Sequence, residues 1–345
     1  MEKISILIWI FFPVCLLLAC TEPPQAQAEL VLGTICSINL YEQGSPQIYE
    51  TLFSRLREIE LTMSATKADT TVDRINKNAG IRPVPVPLDL MEVLEQALRY
   101  AALSEGAFDP TIGPLVQRWA IGSEYPRIPE ALEIEETLSL INWQDVVIDR
   151  EVATVFLRRS GMALDLGAIA KGYAADEVAG ILQKAGIKGA IIDLGGNIFA
   201  YGTKQQGEPW RIGIQNPLST RGAYLGILAV QHKSIVTSGV YERYAEIDGK
   251  RYHHILSTQD GYPVSNGLLS VTIIADHSID ADALSTAAFA LGYEKGRALV
   301  ESVDHAEAIF IFEDKRIRST PGALAWFTLK DPQFNLIPET AARGL

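Results

Sequence analysis

Little in this chain can staple or chelate. Of 345 residues only three are cysteine, at positions 15, 20 and 36, and only five are histidine. Two of those cysteines fall in the first twenty residues, so the body of the chain keeps Cys36 alone and has no intramolecular disulfide available. Stability must come from a packed core, which a composition 48% hydrophobic and 21% charged can supply. The same scarcity disfavours a Cys/His zinc centre. Positive charge is the minority sign: 30 Lys and Arg stand against 42 Asp and Glu, a net −12. That argues against nucleic acid as a partner, though not against a local basic pocket. Internal repeats are lacking, as is low-complexity sequence outside residues 21–28. A regular βαβ rhythm is also missing, which points to an α+β fold rather than a doubly wound sheet.

One long apolar run is present, at the start. Residues 4–18 have the length of a secretion-signal core and are short for a membrane span. Leu17-Leu18-Ala19-Cys20 follows and resembles the lipobox of bacterial lipoproteins, in which Cys20 becomes the acylated first residue of the mature chain. The expected organisation is a signal peptide over 1–19, a lipidated Cys20 with a flexible tether through 28, and one domain over 29–345. Such a protein is exported and anchored by lipid on the periplasmic side of a bacterial membrane. Cys36 alternates with apolar neighbours and reads as a buried small hydrophobe.

Periodicity predicts helices over 47–61 and 88–104, where apolar residues recur on one face, and further helices over 169–185 and 282–291. Residues 29–41 read as a first strand. Residues 63–76 are polar and turn-rich, and 163–166 read as a strand end. Hairpins are predicted over 146–157, 244–255 and 308–319, while 210–215, 226–230 and 234–237 read as continuing one sheet.

Four motifs carry chemistry. Asp165-Leu-Gly-Ala-Ile-Ala-Lys171-Gly172 puts a carboxylate, two glycines and a lysine at a helix entry. Helix-start amides and Lys171 favour a phosphate, and the oxygens of Asp165 and of the main chain near Ala168 favour a hard cation. A capping Asp with a solvated Lys explains the spacing equally well. The run is not a P-loop, which needs four residues between its first Gly and Gly-Lys. Far along the chain, Asp282 and Thr286 stand at i and i+4 beside Ser285, hard oxygens suited to Mg²⁺ or, again, helix caps. In Tyr252-His253-His254-Ile255, neighbours on a strand face opposite ways, so one histidine at most faces a pocket as a general base. Ala107-Phe108-Asp109-Pro110 either lines a flat-ring pocket or orders a loop.

Together with Met63-Ser64, Arg74-Ile-Asn76, Gly113-Pro-Leu-Val, Trp119, Asp193-Leu-Gly195-Gly196 and Thr237-Ser-Gly-Val-Tyr241, these ordered blocks resemble the FAD:protein FMN transferase (ApbE) family over most of the mature chain. The resemblance implies an α+β fold of two packed lobes with FAD between them. It implies Mg²⁺ held by the main chain at Ala168 and by Asp282 and Thr286, with Ser285 nearby. FAD contacts are implied at Thr66, Ala107, Phe108, Asp109, Asp165, Lys171 and Ile255. The implied reaction moves FMN from FAD to a Ser/Thr hydroxyl in the flavinylation motif of an acceptor protein and releases AMP. His254 is assigned as base, and Asp282 as catalytic through the metal. The alternatives are a Mg²⁺-dependent FAD pyrophosphatase and a non-catalytic FAD-binding lipoprotein. The sequence departs from the family where Thr66 replaces an aromatic that covers the cofactor, at Asn197 for Asp, and over 257–261. These departures predict altered flavin affinity and a shifted balance between hydrolysis and transfer.

Overall fold

The computed structural model describes residues 26–41 and 45–338. The signal segment and Cys20 lie outside the described residues. The centre is a nine-stranded sheet whose spatial order follows the chain: Gln27–Val31, Thr34–Leu40, Gly189–Leu194, Asn197–Gly202, Lys233–Gly239, Leu268–Ala275, Glu307–Phe312, Arg316–Ser319 and Asn335–Leu336. All neighbours are antiparallel except the last pair. Such a meander needs only hairpins and inserted segments, which is why no βαβ rhythm shows in the sequence.

Eight helices are described: α1 (Pro46–Met63), α2 (Thr71–Lys77), α3 (Leu88–Leu103), α4 (Gly113–Trp119), α5 (Ala131–Leu138), α6 (Ala170–Lys184), α7 (Ser278–Leu291) and α8 (Tyr293–Glu301). The main apolar core gathers one face of the sheet with α1, α3, α6 and α7, through residues such as Leu52, Leu94, Val178 and Leu284. The other face is covered by a separate three-stranded sheet of Trp210–Gln215, Tyr224–Val230 and Phe327–Leu329. A third, small cluster of Leu115, Trp119, Ile134 and Leu256 supports α4 and α5. No helix among the described residues is long and apolar enough to cross a membrane.

Several expectations need correction. The single first strand is a hairpin turning at Leu32-Gly33, both at positive φ. Its first strand takes up Gln27 and Ala28, the end of the expected tether. The polar stretch 63–76 contains α2, a short helix started by Thr70, whose hydroxyl accepts the Asp73 amide at 3.0 Å. Residues 163–166 make no ladder beyond one bridge to Ile112. They are held extended instead by the Asn76 side chain, which bonds both the amide and the carbonyl of Leu164, and by the Asp165 amide on the Pro110 carbonyl. Strands 210–215 and 224–230 belong to the covering sheet, not the central one. Helix α7 begins at Ser278, so Asp282 lies a turn inside it rather than at its start.

Candidate active site

Helices α6 and α7 meet at Gly172. A Cβ there would lie 2.7 Å from Ile279 Cα and closer still to the Ser278 carbonyl oxygen, so only glycine permits the approach. This contact sets up an exchange of partners. In a continuous helix the Gly172 amide would bond the Ala168 carbonyl. Here it donates to Asp282 Oδ2 at 2.9 Å, and no backbone amide among the described residues bonds the Ala168 carbonyl. Lys171 Nζ bonds the Gly167 carbonyl at 2.7 Å and stands 3.5 Å from the same Asp282 oxygen. Asp165 Oδ1 accepts the Gly167 amide at 2.8 Å and shapes the turn into α6. The start of α7 is held from a distance, since the half-buried Asp176 carboxylate of α6 accepts the amides of Ser278 and Ile279 at 2.8 and 2.9 Å. Burial pushes its carboxyl up to about 6 against those two donors.

Beside this junction lies a cleft of about 300 Å³. One end is apolar, with Ala107, Phe108, Ile112, Val116, Ile121, Ile255 and Leu256. The other is polar, with Asp165, Ala168, Lys171, Asp282 and Thr286 on the helix side and Thr34, Asn197, Thr237 and Ser238 on the sheet side. Arg221, Glu242 and Arg243 also line it, and all three are exposed. This pairing of a flat apolar half with a charged half suits a ligand that is part ring and part phosphate.

His254 borders the same space, whereas His253 is buried and its Nε2 meets the Val264 carbonyl at 2.9 Å. His254 Nδ1 lies 3.1 Å from the Arg243 carbonyl. A carbonyl only accepts, so Nδ1 carries the proton and Nε2 keeps its lone pair. Burial holds the ring neutral, with its pKa down to about 4. A bound anion would raise that value, making Nε2 a better proton acceptor once substrate is present.

Ten of the residues expected at the site line this one cleft: Ala107, Phe108, Asp109, Asp165, Ala168, Lys171, His254, Ile255, Asp282 and Thr286. Asp109 lines it with its carboxylate already engaged: Oδ1 accepts the amide and hydroxyl of Thr111 at 2.8 and 2.7 Å, and Oδ2 accepts the Trp143 amide at 3.0 Å. Ser285 is not in the lining; its hydroxyl meets Ser238 Oγ at 2.9 Å and the Asp282 carbonyl at 2.9 Å, and so braces the helix turn. Thr66 is not in the lining either. It is exposed in the loop before α2, with its hydroxyl 3.2 Å from Ser64 Oγ. The motifs pass over Thr34, Arg221 and Ser238 as site residues, which reach the cleft from remote turns and a strand end.

The donor set fits Mg²⁺. Asp282 Oδ1 accepts no hydrogen bond among the described residues, the Ala168 carbonyl is freed from its helix, and Thr286 Oγ1 stands a turn from Asp282. No cluster of three His, Cys, Asp or Glu among the described residues could hold an ion alone. One carboxylate with neutral oxygens, completed by water and phosphate, is how proteins hold Mg²⁺ rather than zinc.

Known proteins share this architecture. The ApbE family profile matches residues 32–310. The FAD:protein FMN transferase of Treponema pallidum is 39% identical over 328 residues, spanning 90% of this chain and 91% of that protein. The Klebsiella pneumoniae protein of the same name is 37% identical over 315 residues, spanning 91% and 97%. Among crystal structures, the ApbE protein of Thermotoga maritima superposes with a TM-score of 0.80 at 32% identity, covering 88% of this chain and 99% of its own.

Proposed function

Because the chain belongs to the ApbE family, we propose that it is an FAD:protein FMN transferase, moving FMN from FAD to a Ser or Thr hydroxyl of an acceptor protein. The observation that carries the reading is the α6–α7 junction. One amide is diverted from Ala168 to Asp282, which leaves a carbonyl and a carboxylate oxygen free beside Lys171, in a cleft whose far end is apolar.

The chemistry follows from these groups. The apolar end takes a ring of FAD, and the polar end takes its pyrophosphate. Lys171 offsets phosphate charge from the helix side. His254 Nε2 is unprotonated and accepts the proton of the acceptor hydroxyl as its oxygen attacks the FMN phosphorus. The bond from that phosphorus to the oxygen shared with the adenylate half breaks, and AMP leaves with that oxygen and its electron pair. Ala168, Asp282 and Thr286 would hold Mg²⁺, which when bound supplies neutralising charge at the pyrophosphate. The Ser285 and Ser238 hydroxyls keep that turn of α7 in register.

The same reading makes the mature protein a lipoprotein, acylated at Cys20 and working outside the cytoplasmic membrane. The test mixes the protein with FAD, Mg²⁺ and an acceptor protein carrying a Ser/Thr flavinylation motif. Flavin fluorescence on the acceptor band, abolished by chelator and by Asp282→Ala, is the expected result. Free FMN and AMP without labelled acceptor would mean a pyrophosphatase, and intact bound FAD a carrier.

A further inference from the structure

Asn197 opens the strand that follows the Gly195-Gly196 turn and is 1% exposed. It is one of few buried residues on the cleft wall with a polar atom left unpaired. Its Oδ1 accepts the Ser278 hydroxyl at 2.8 Å, and Ser278 Oγ in turn accepts the Ser234 hydroxyl at 2.8 Å. Its Nδ2 has no acceptor among the described residues. This orientation of the amide is forced by the hydroxyl chain. With the amide reversed, Ser278 Oγ would receive both Nδ2 and Ser234, and its own buried proton would be stranded. As oriented, every hydroxyl proton is placed and both amide protons remain to be given away.

A buried donor left unmade destabilises the fold, so a native protein keeps one where a ligand or a water completes it. The surroundings favour an anionic ligand. Gly196 sits at φ +97°, and a Cβ added to it would meet nothing within 4 Å, so the turn that precedes Asn197 opens on the cleft it lines. Thr34 borders the same cleft beside the Gly195 turn, and Lys171 borders it from the helix side.

We propose that Asn197 is a substrate-binding residue whose side-chain amide donates to a pyrophosphate oxygen of the dinucleotide, an assignment that rests on the FMN-transfer reading. Lys171 then contributes charge and Asn197 a fixed neutral donor, which orients the phosphorus without competing for the metal.

Two variants test it. Asn197→Asp keeps the acceptor that Ser278 needs and replaces the donor with an oxygen, whereas Asn197→Ala removes both. Apo thermal melts first establish that each variant folds. Affinities are then measured at pH 8 for FAD and for riboflavin, which shares the ring and has no phosphate. The expected result is FAD binding weakened about 10- to 100-fold in both variants, with riboflavin unchanged. Unchanged FAD affinity would mean that the amide holds only a buried water. Equal losses for both ligands would mean that the cleft has collapsed. Either outcome overturns the assignment. A wild-type protein that fails to bind FAD would sink the transferase reading itself, whereas normal transfer by wild type and both variants would sink only the role of Asn197. If Asn197→Ala does not fold, Asn197→Asp decides alone, because it preserves the Ser278 bond.

Discussion

Replacing Gly172 with alanine tests the α6–α7 junction directly. The new Cβ would stand 2.7 Å from Ile279 Cα, against 3.4–4 Å for an ordinary contact, and nearer still to the Ser278 carbonyl. The two helices must part by roughly 0.7 Å or more, because close-packed backbone cannot absorb the overlap. The 2.9 Å bond from the Gly172 amide to Asp282 then stretches past useful length. Overpacking and loss of a charge-assisted bond cost about 2–4 kcal/mol, and alanine's better helix propensity returns about 1 kcal/mol. The melting temperature should fall by about 2–5 °C. Displacing Asp282 should cost about 100-fold in FMN transfer, since a shift near 1 Å from productive geometry has that effect. Gly180→Ala is the matched control: it lies in the same helix, and its Cβ meets nothing within 4 Å. It should be neutral or stabilising by up to about 1 kcal/mol. Thermal melts and the acceptor-labelling assay on the three proteins decide the matter. A Gly172→Ala protein that melts within about 1 °C of wild type, well inside the expected fall, and transfers FMN at a comparable rate would refute the reasoning.

Further outcomes follow from the same geometry. Lys171→Met should raise the KM for FAD by about 10- to 100-fold and leave riboflavin binding intact, measured by fluorescence titration. His254→Ala should lower kcat by about 10²–10⁴ while FAD still binds. His254 also predicts a pH effect on stability: the unfolded ring protonates near 6.5 and the folded ring only near 4, so its contribution is present above 6.5 and is lost as pH falls through that window. Denaturant melts of His254→Asn should therefore decline less between pH 7 and 4.5. Asp176 has the opposite sign: its folded value near 6 lies above the ordinary 3.8, so its contribution is full below 3.8 and is lost as pH rises through 6. In melts, wild type should lose ground to Asp176→Asn between pH 4 and 7. The paired change Arg221→Gln with Arg243→Gln should lower kcat/KM for FAD and flatten its dependence on ionic strength.

The long helices were legible because their periodicity is local. Leu52 and Leu56 in α1, and Leu90, Leu94 and Ala97 in α3, recur on one face and are buried. What stayed hidden depends on partners elsewhere in the chain. The opening hairpin turns at Leu32, a residue that rarely takes positive φ, so no Asn-Gly signal announces it. The start of α7 is capped by Asp176, 102 residues upstream, so nothing local moves its boundary from Asp282 back to Ser278. The 163–166 segment looks like a strand and is one in extension only, because Asn76 and Pro110 satisfy its backbone in place of a neighbouring strand. For the candidate site, the sequence showed the residues that chemistry requires, Asp165, Lys171, Asp282, Thr286 and His254. It did not show those that topology delivers, such as Thr34, Arg221 and the Asn197 amide.

The electrostatics explain how a chain of net charge −12 can admit an anionic dinucleotide. Acidic groups at the cleft are mostly neutralised or occupied. Asp109 is tied to Thr111 and Trp143, and one oxygen of Asp282 is shared by the Gly172 amide and Lys171. The cations are freer: Arg221 and Arg243 form no ion pair among the described residues. Field at close range, not the sum over the chain, governs entry, because charges beyond about 8–10 Å are screened at physiological salt. The oxygen of Asp282 that Gly172 and Lys171 leave free then presents negative charge at the polar end, which is where a cation bridging protein and phosphate is needed.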